Sequence, residues 1–292
     1  MKPYREYRDF LSEHFETKVQ KIAVDAGFSC PNRDGSKGRG GCIYCTNKAF
    51  NPRYCDATMS VAEQIEAGKR FFGSKYHDMR YIAFFQAHTG TYAPLPVLQS
   101  LCEQALAVEG IVGLVIATRP DCVGNELLGY LAKLSHSAFV MIELGVESLH
   151  DATLQRINRC HDAACAVDAI HRIAAHGIPV GAHLIMGLPG EIREQMLATV
   201  DSLVALPVST IKFHQLQVLR DTRLAQMIEK GECGIMQWSA REYARFCAEL
   251  VAHVPKRIAI ERFVSESPGS MLISPRWGLK PQQFNAMLRQ YL

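Results

Sequence analysis

Apolar and polar positions fall along this chain in blocks of two kinds. Short apolar runs at 19–24, 81–85, 112–117, 139–145, 179–186 and 210–217 each read as a strand. Between them, 60–72, 95–108, 124–134, 163–176 and 191–205 read as helices. A strand followed by a helix of about ten residues or more, repeated, marks βαβ units and a parallel sheet. Six such units predict an α/β fold: a partial (β/α)6 TIM-like barrel with its chemistry at the C-terminal ends of the strands. A doubly wound open sheet is the alternative, and periodicity does not separate the two. After 217 the pattern changes to helices near 221–230 and 239–253, a strand near 257–264 and a last helix near 281–291. The expected organisation is an N-terminal segment (1–17), a core barrel (18–220) and a C-terminal α/β extension (221–292) packed on it.

With 292 residues, 48% of them hydrophobic, the chain has ample material for one large core. Its 21% charged residues exclude a wholly disordered chain. No apolar run reaches the roughly eighteen residues of a membrane span. The start, Met1-Lys-Pro-Tyr-Arg-Glu, mixes charges and lacks the apolar stretch of a signal peptide, so a cytoplasmic protein is expected. Net charge is +3. From 241 to 292 there are eight Lys or Arg against four Glu. That stretch suits either a phosphate-facing surface or an ordinary solvated face.

Ten cysteines are many for a chain without a secretory signal. Cys102, Cys122, Cys160, Cys165, Cys233 and Cys247 are scattered and read as small buried hydrophobes. The other four cluster. The segment Gly27-Phe-Ser-Cys30-Pro-Asn-Arg-Asp-Gly-Ser-Lys-Gly-Arg-Gly-Gly-Cys42-Ile-Tyr-Cys45 follows the first strand, so it is the first βα loop. Its glycines let backbone wrap a bulky inorganic group and aim N–H groups at sulfide. Lys37 and Arg39 are expected to offset the negative charge there. Three thiolates hold three irons of a [4Fe–4S] cluster and leave the fourth open. A structural zinc site wants four ligands, and Cys55 would supply the fourth. Spacing leaves both open; the position on a catalytic rim favours the cluster.

These residues resemble the radical S-adenosylmethionine (SAM) superfamily, whose common motif is C-x3-C-x2-C. Here the first gap is eleven residues, while Cys42-x-x-Cys45 is standard. The long gap resembles the Elp3-like branch, and within it the YhcC/YtqA-type group. Tyr44 matches the family's aromatic between the last two cysteines. Further segments agree. Gln86-Ala-His88-Thr89 ends the second strand, where the family meets the SAM amino group. Ala117-Thr-Arg-Pro-Asp121 resembles the TRPD signature, with Thr118 or Arg119 towards the ribose or methionine part. Glu143-Leu-Gly-Val-Glu-Ser148 places Glu147 on SAM, and Arg159 falls where relatives bind its carboxylate. His183-Leu-Ile-Met-Gly-Leu-Pro-Gly-Glu191 resembles the GLPGE turn, with His183 near the adenosine. Each also has a plain structural reading, such as a Pro-Gly turn or a helix-end charge.

The resemblance implies a [4Fe–4S] cluster on Cys30, Cys42 and Cys45, reductive cleavage of SAM, and an electron donor such as flavodoxin or ferredoxin. It also implies a tRNA substrate, modified at C5 of the wobble uridine or on its substituent. No acetyltransferase domain is expected, since about 75 residues follow the barrel. Phe263 and Trp277 either stack on bases or hold the extension down. Two alternatives remain: a radical SAM enzyme acting on a small molecule, and a non-catalytic zinc-dependent RNA-binding protein. None of His77, His88, His150, His161, His171, His176, His183 and His214 falls in a hydrolase or deaminase spacing.

Overall fold

The computed structural model describes residues 2–46, 51–52, 54–73 and 79–292, so His77 lies outside the described residues. The chain opens with strand β1 (Arg5–Glu6) and helix α1 (Tyr7–Ser12). Six strands then follow in the predicted places: β2 (Val19–Val24), β3 (Arg80–Phe85), β4 (Ile111–Thr118), β5 (Phe139–Glu147), β6 (Val180–Met186) and β7 (Thr210–Gln215). Helices α2 (Val61–Phe72), α3 (Leu95–Leu106) and α4 (Asn125–Leu134) alternate with them. After β5 come a short helix α5 (Asp151–Arg156) and α6 (Ala163–Ala175); α7 (Arg193–Val204) precedes β7. Ser60 starts α2 through a reciprocal bond pair with Glu63.

Among the described residues the sheet has eight strands in the order β1-β9-β7-β6-β5-β4-β3-β2, where β9 is Ala259–Arg262, and its pairs are parallel. The six predicted barrel strands are thus extended by two: β1, which was not foreseen, and β9, the strand expected near 257–264, which joins the barrel sheet beside β7. Alternation along the strands sorts the side chains. Ile22, Ala83, Phe85, Leu114, Ile116, Ile142 and Leu184 pack outward against the helices. Ile82, Phe84, Val115, Met141 and Ala259 point inward and meet one another. Strands as far apart in the sheet as β3 and β9 share that inner cluster, so the sheet is curled. This is the partial barrel, not the open doubly wound sheet.

Helix α1 closes the bottom of this barrel. Phe10 is buried in the inner cluster, 6.3 Å from the Phe139 ring, and Phe15 stands 5.2 Å from the same ring. The N-terminal segment is therefore the floor of the lumen.

Beyond β7, strands β8 (Val218–Leu219) and β10 (Leu272–Ser274) form a small antiparallel pair beside α8 (Arg223–Glu229). Helices α9 (Ala240–His253) and α10 (Pro281–Leu288) pack against each other. The base-stacking reading of Phe263 and Trp277 is overturned. Phe263 is buried against Phe213, and Trp277 stacks on Phe284 while its indole N–H donates to the Trp238 carbonyl at 2.8 Å. Both hold the extension down. Among the scattered cysteines only Cys102 and Cys247 are buried, and Cys160 is exposed. Among the described residues, no helix is long and apolar enough to cross a membrane.

Removing the floor should be costly. Phe10→Ala is expected to lower unfolding stability by about 3–5 kcal/mol, the usual range for a buried Phe truncation. Urea unfolding followed by circular dichroism checks this. A loss under about 1 kcal/mol would mean that α1 is not part of the core.

Candidate functional site

A cavity of about 1050 Å³ opens at the C-terminal ends of the strands and runs down into the lumen. Cys30, Cys42 and Cys45 line it, together with Gln86, His88, Thr89, Thr118, Glu147, Arg159 and His183. The fold thus brings every candidate site residue to one space. Cys55 is turned elsewhere. Its buried thiol faces Gln64 Oε1 at 3.4 Å, and burial pushes its pKa up to about 12. Among the described residues, no three His, Cys, Asp or Glu side chains converge as a single-ion site would require. A cubane asks for less, because each thiolate binds a different iron.

The cysteine loop is held by the far half of the barrel. The Ile43 N–H donates to the Ile157 carbonyl at 3.0 Å, and the Leu224 N–H donates to the Ile43 carbonyl at 2.8 Å. Asn158, in the left-handed region at φ 56°, donates its side-chain amide to the Gly41 carbonyl at 2.8 Å. Ile43 itself is buried among Leu154, Ile157, Leu188 and Leu224.

Lys37 and Arg39 do not serve the role expected of them: both are exposed, and Lys37 pairs with Asp121 at 2.9 Å. Arg33 and Arg159 stand at the sulfurs instead. The Arg33 guanidinium donates to the Cys45 carbonyl at 2.9 Å. Burial opposes its charge, but Cys45, Cys30 and Cys42 outweigh that and raise its pKa. Arg159 Nη1 approaches Cys42 Sγ at 3.5 Å, and its Nη2 lies 3.4 Å from Glu147. Asn32 Nδ2 sits 3.6 Å from the same sulfur. Burial pushes the Cys45 thiol pKa up and Cys42 adds to this, while Arg33 works the other way. Gly145 makes room: a Cβ there would come within 2.7 Å of both Arg159 and Glu147. Glu147 and His88 adopt positive φ (66° and 53°), which costs a non-glycine residue energy and is typical of functional rims.

Several buried polar atoms around the cavity lack hydrogen-bond partners among the described residues: Thr89 Oγ1, Tyr44 OH, Arg119 Nη1 and Arg262 Nε. Leaving a buried donor unmade costs about 1–3 kcal/mol, so such groups point to a ligand. The Thr118 hydroxyl is different, being bonded to Thr91 Oγ1 at 2.5 Å. Arg119 is fixed by two bonds to Asp121 at 2.8 and 2.9 Å and by one to the Arg159 carbonyl at 2.8 Å.

Below the rim lies a charged layer that sequence reasoning missed. Glu143 accepts from Lys21, from Lys212 at 2.8 Å and from His183 at 2.8 Å. Glu261 pairs with Lys21 at 3.2 Å and Lys212 at 3.0 Å. Lys21 also sits over the rings of Tyr7 and Phe84, 4.4 and 4.9 Å from their centroids. Burial would neutralise Glu143, but the two lysines outweigh it and hold its pKa well below the usual carboxylate range. Lys21 is likewise held above the usual lysine value by Glu143 and Glu261 despite its burial. A lone charge inside each apolar strand was the available signal. Lys21 stands in Val19-Gln-Lys-Ile-Ala-Val24, Glu143 in Val140-Met-Ile-Glu-Leu144, and Lys212 in Thr210-Ile-Lys-Phe213.

The family model described as "Radical SAM superfamily" matches residues 34–203, and one described as "Radical_SAM C-terminal domain" matches 208–292. The chain is 36% identical over 278 residues to the uncharacterized protein YtqA of Bacillus subtilis, covering 95% of this chain and 86% of that one. It is 23% identical over 184 residues to a tRNA uridine(34) acetyltransferase of Methanocaldococcus jannaschii, covering 62% of this chain and 32% of that one. Its fold is similar to that of the archaeal Methanocaldococcus infernus Elp3 (TM-score 0.69, 17% identity). That likeness covers 94% of this chain and 62% of the Elp3 chain.

The charged layer generates a prediction. Glu143→Gln leaves Lys21 and Lys212 short of a buried partner and should lower stability by about 3–5 kcal/mol at neutral pH. Because the Glu143 pKa is lower in the folded than in the unfolded chain, its contribution is full above the unfolded value and fades as pH falls below about 4.3. Urea unfolding of both proteins at neutral pH and through that range checks this. A gap that widened on acidification would overturn the assignment.

Proposed function

The chain belongs to the radical SAM superfamily, and on that premise we propose that Cys30, Cys42 and Cys45 hold a [4Fe–4S] cluster at which SAM is cleaved to modify tRNA. The observation that carries this is the convergence of three thiols and several unpartnered buried donors on one cavity. The donor set fits the cluster. All three ligands come from one loop, two arginines offset thiolate charge, and Cys55 is turned away to Gln64. When bound, the cluster supplies an electron that breaks a sulfonium carbon–sulfur bond of SAM, which equips the site for hydrogen abstraction.

The remaining work belongs to the chain's own residues. Arg33, Arg159 and Asn32 tune the sulfurs by charge and hydrogen bonding. Arg119, fixed by Asp121, keeps Nη1 available for the SAM carboxylate. Thr89 and Tyr44 have hydroxyls available for polar atoms of the same cofactor. Gln86, His88, Glu147 and His183 complete its surroundings, while Thr118 acts by locking the strand end to Thr91. Apolar packing around Ile43 and Leu188 shields this side from water. Flavodoxin or ferredoxin is the proposed electron donor.

Similarity to a tRNA uridine(34) acetyltransferase and a fold like that of Elp3 support the wobble uridine as the target. Mass spectrometry of tRNA nucleosides from a deletion strain tests it. A missing or altered uridine derivative is expected, and an unchanged nucleoside profile would leave the small-molecule reading in its place.

For the cluster, Cys30→Ala, Cys42→Ala and Cys45→Ala should each abolish iron and sulfide binding in protein reconstituted without oxygen, whereas Cys55→Ala should retain both. Loss in Cys55→Ala equal to that in the other three would favour a four-thiolate site. Adding SAM should shift the EPR spectrum of the reduced wild-type protein.

A further inference from the structure

The charged layer of the lumen does not balance. Lys21, Lys212 and Arg262 face the space shared with Glu143 and Glu261, and the two histidines there add no compensating negative charge. Both lysines share the two carboxylates, whereas Arg262 has no carboxylate within ion-pair distance among the described residues. Its Nη2 instead lies 3.1 Å from His214 Nε2, and its Nε lacks any hydrogen-bond partner among the described residues although it is buried. Burial and the Arg262 charge both hold the His214 pKa well below the usual histidine value, so the ring is neutral beside it. Burial likewise lowers the Lys212 pKa, and Lys21 and Arg262 add to that against the pull of the two glutamates. Three cations and two anions lining this part of the cavity leave one positive charge over, and the next carboxylate to act on Arg262, Glu266, is exposed.

We propose that the wall of the cavity formed by β7 and β9 is the subsite for an oxyanion of the substrate, a carboxylate or a phosphate, held by Arg262 with His214 beside it. A guanidinium is built for this, since its planar fork of N–H donors matches either group. The subsite deepens the proposed function and rests on this cavity being the substrate cavity. It lies on different strands from the cysteine loop, so cofactor and substrate oxyanion are bound by separate residue sets. Arg262 sits on β9 opposite Lys212 in the sheet register, which places it at the same lumen level as the charged layer.

Isothermal titration calorimetry of the full chain tests this without turnover, so its outcome does not depend on whether the wild-type protein cleaves SAM. Three probes are used at matched ionic strength: sodium phosphate, uridine 5′-monophosphate and sodium succinate. Saturable binding of at least one probe, one per chain, is expected. Binding of phosphate and the nucleotide but not succinate assigns a phosphate; the reverse assigns a carboxylate. Arg262→Gln should weaken the binding about ten-fold or more. Arg262→Lys, which keeps the charge but not the fork, should fall between, and it carries the test if the glutamine variant fails to fold. Arg241→Gln, an exposed site, should bind like wild type. The proposal is overturned if no probe saturates, if the Arg262 variants bind as well as wild type, or if Arg241→Gln weakens binding equally.

Discussion

Lys21 reaching Glu261 is the contact on which the architecture turns. Lys21 belongs to β2, at one edge of the sheet, and Glu261 to β9, next to the other edge. No backbone pairing joins those strands, so the ion pair and its continuation through Glu143 and Lys212 tie the ends of the curled sheet across the lumen. Buried charges are expensive to desolvate, and an apolar substitute of equal volume often stabilises a protein more. What hydrophobic side chains cannot do is tie the seam and leave the lumen open. Large apolar residues in its place would fill the cavity, as they fill the interior of a closed eight-stranded barrel.

The same layer stands between the apolar cluster at the bottom of the barrel and the polar strand ends. Beneath it, Phe10, Ile82, Val115, Met141 and Ala259 make an apolar cluster over α1. Above it, the cavity is lined by polar strand ends and by the cysteine loop. The ammonium of Lys21 belongs to both regions, lying over the Tyr7 and Phe84 rings while bonded to two carboxylates. The cavity itself runs past this layer to α1, where Tyr7, Leu11 and Phe15 line it.

The strands and helices were legible because most of the strands are covered on both faces, so their apolar runs start and stop with the strands themselves; β2 matched to the residue. The cysteine loop was legible because its chemistry is local in sequence. The lumen charges were not, since a single Lys or Glu inside an apolar run looks like noise until its partners on other strands are known. Arg33 was hidden because nothing in the sequence ties it to the sulfurs, and Arg159, expected on the SAM carboxylate, gave no sign of its contact with Cys42. Lys37 and Arg39 are as close in sequence to the cysteines, but the tight turn through Asp34 and Arg39 carries them outward. The role of residues 5–12 was invisible because two strand residues and six helical ones give too short a pattern to read. Phe263 and Trp277 show the converse: aromatics in a basic stretch suggest a surface for bases, and packing decides otherwise.

Loop and lumen are also coupled through shared residues. Glu143 and Glu147 lie on one strand, β5, and face the same side, with Gly145 between them. Glu143 bonds the lysines and His183, whereas Glu147 bonds Arg159, which touches Cys42. One strand thus registers the charged layer against the cysteine site with a spacing fixed by backbone geometry. Gly145 is what permits this, because a side chain there would strike both Arg159 and Glu147. The positive φ of Glu147 follows from the same demand: its carboxylate must turn back to an arginine that also serves the sulfur. The strain at this residue is local, and the many contacts that fix Arg159 from other elements are what hold it in place.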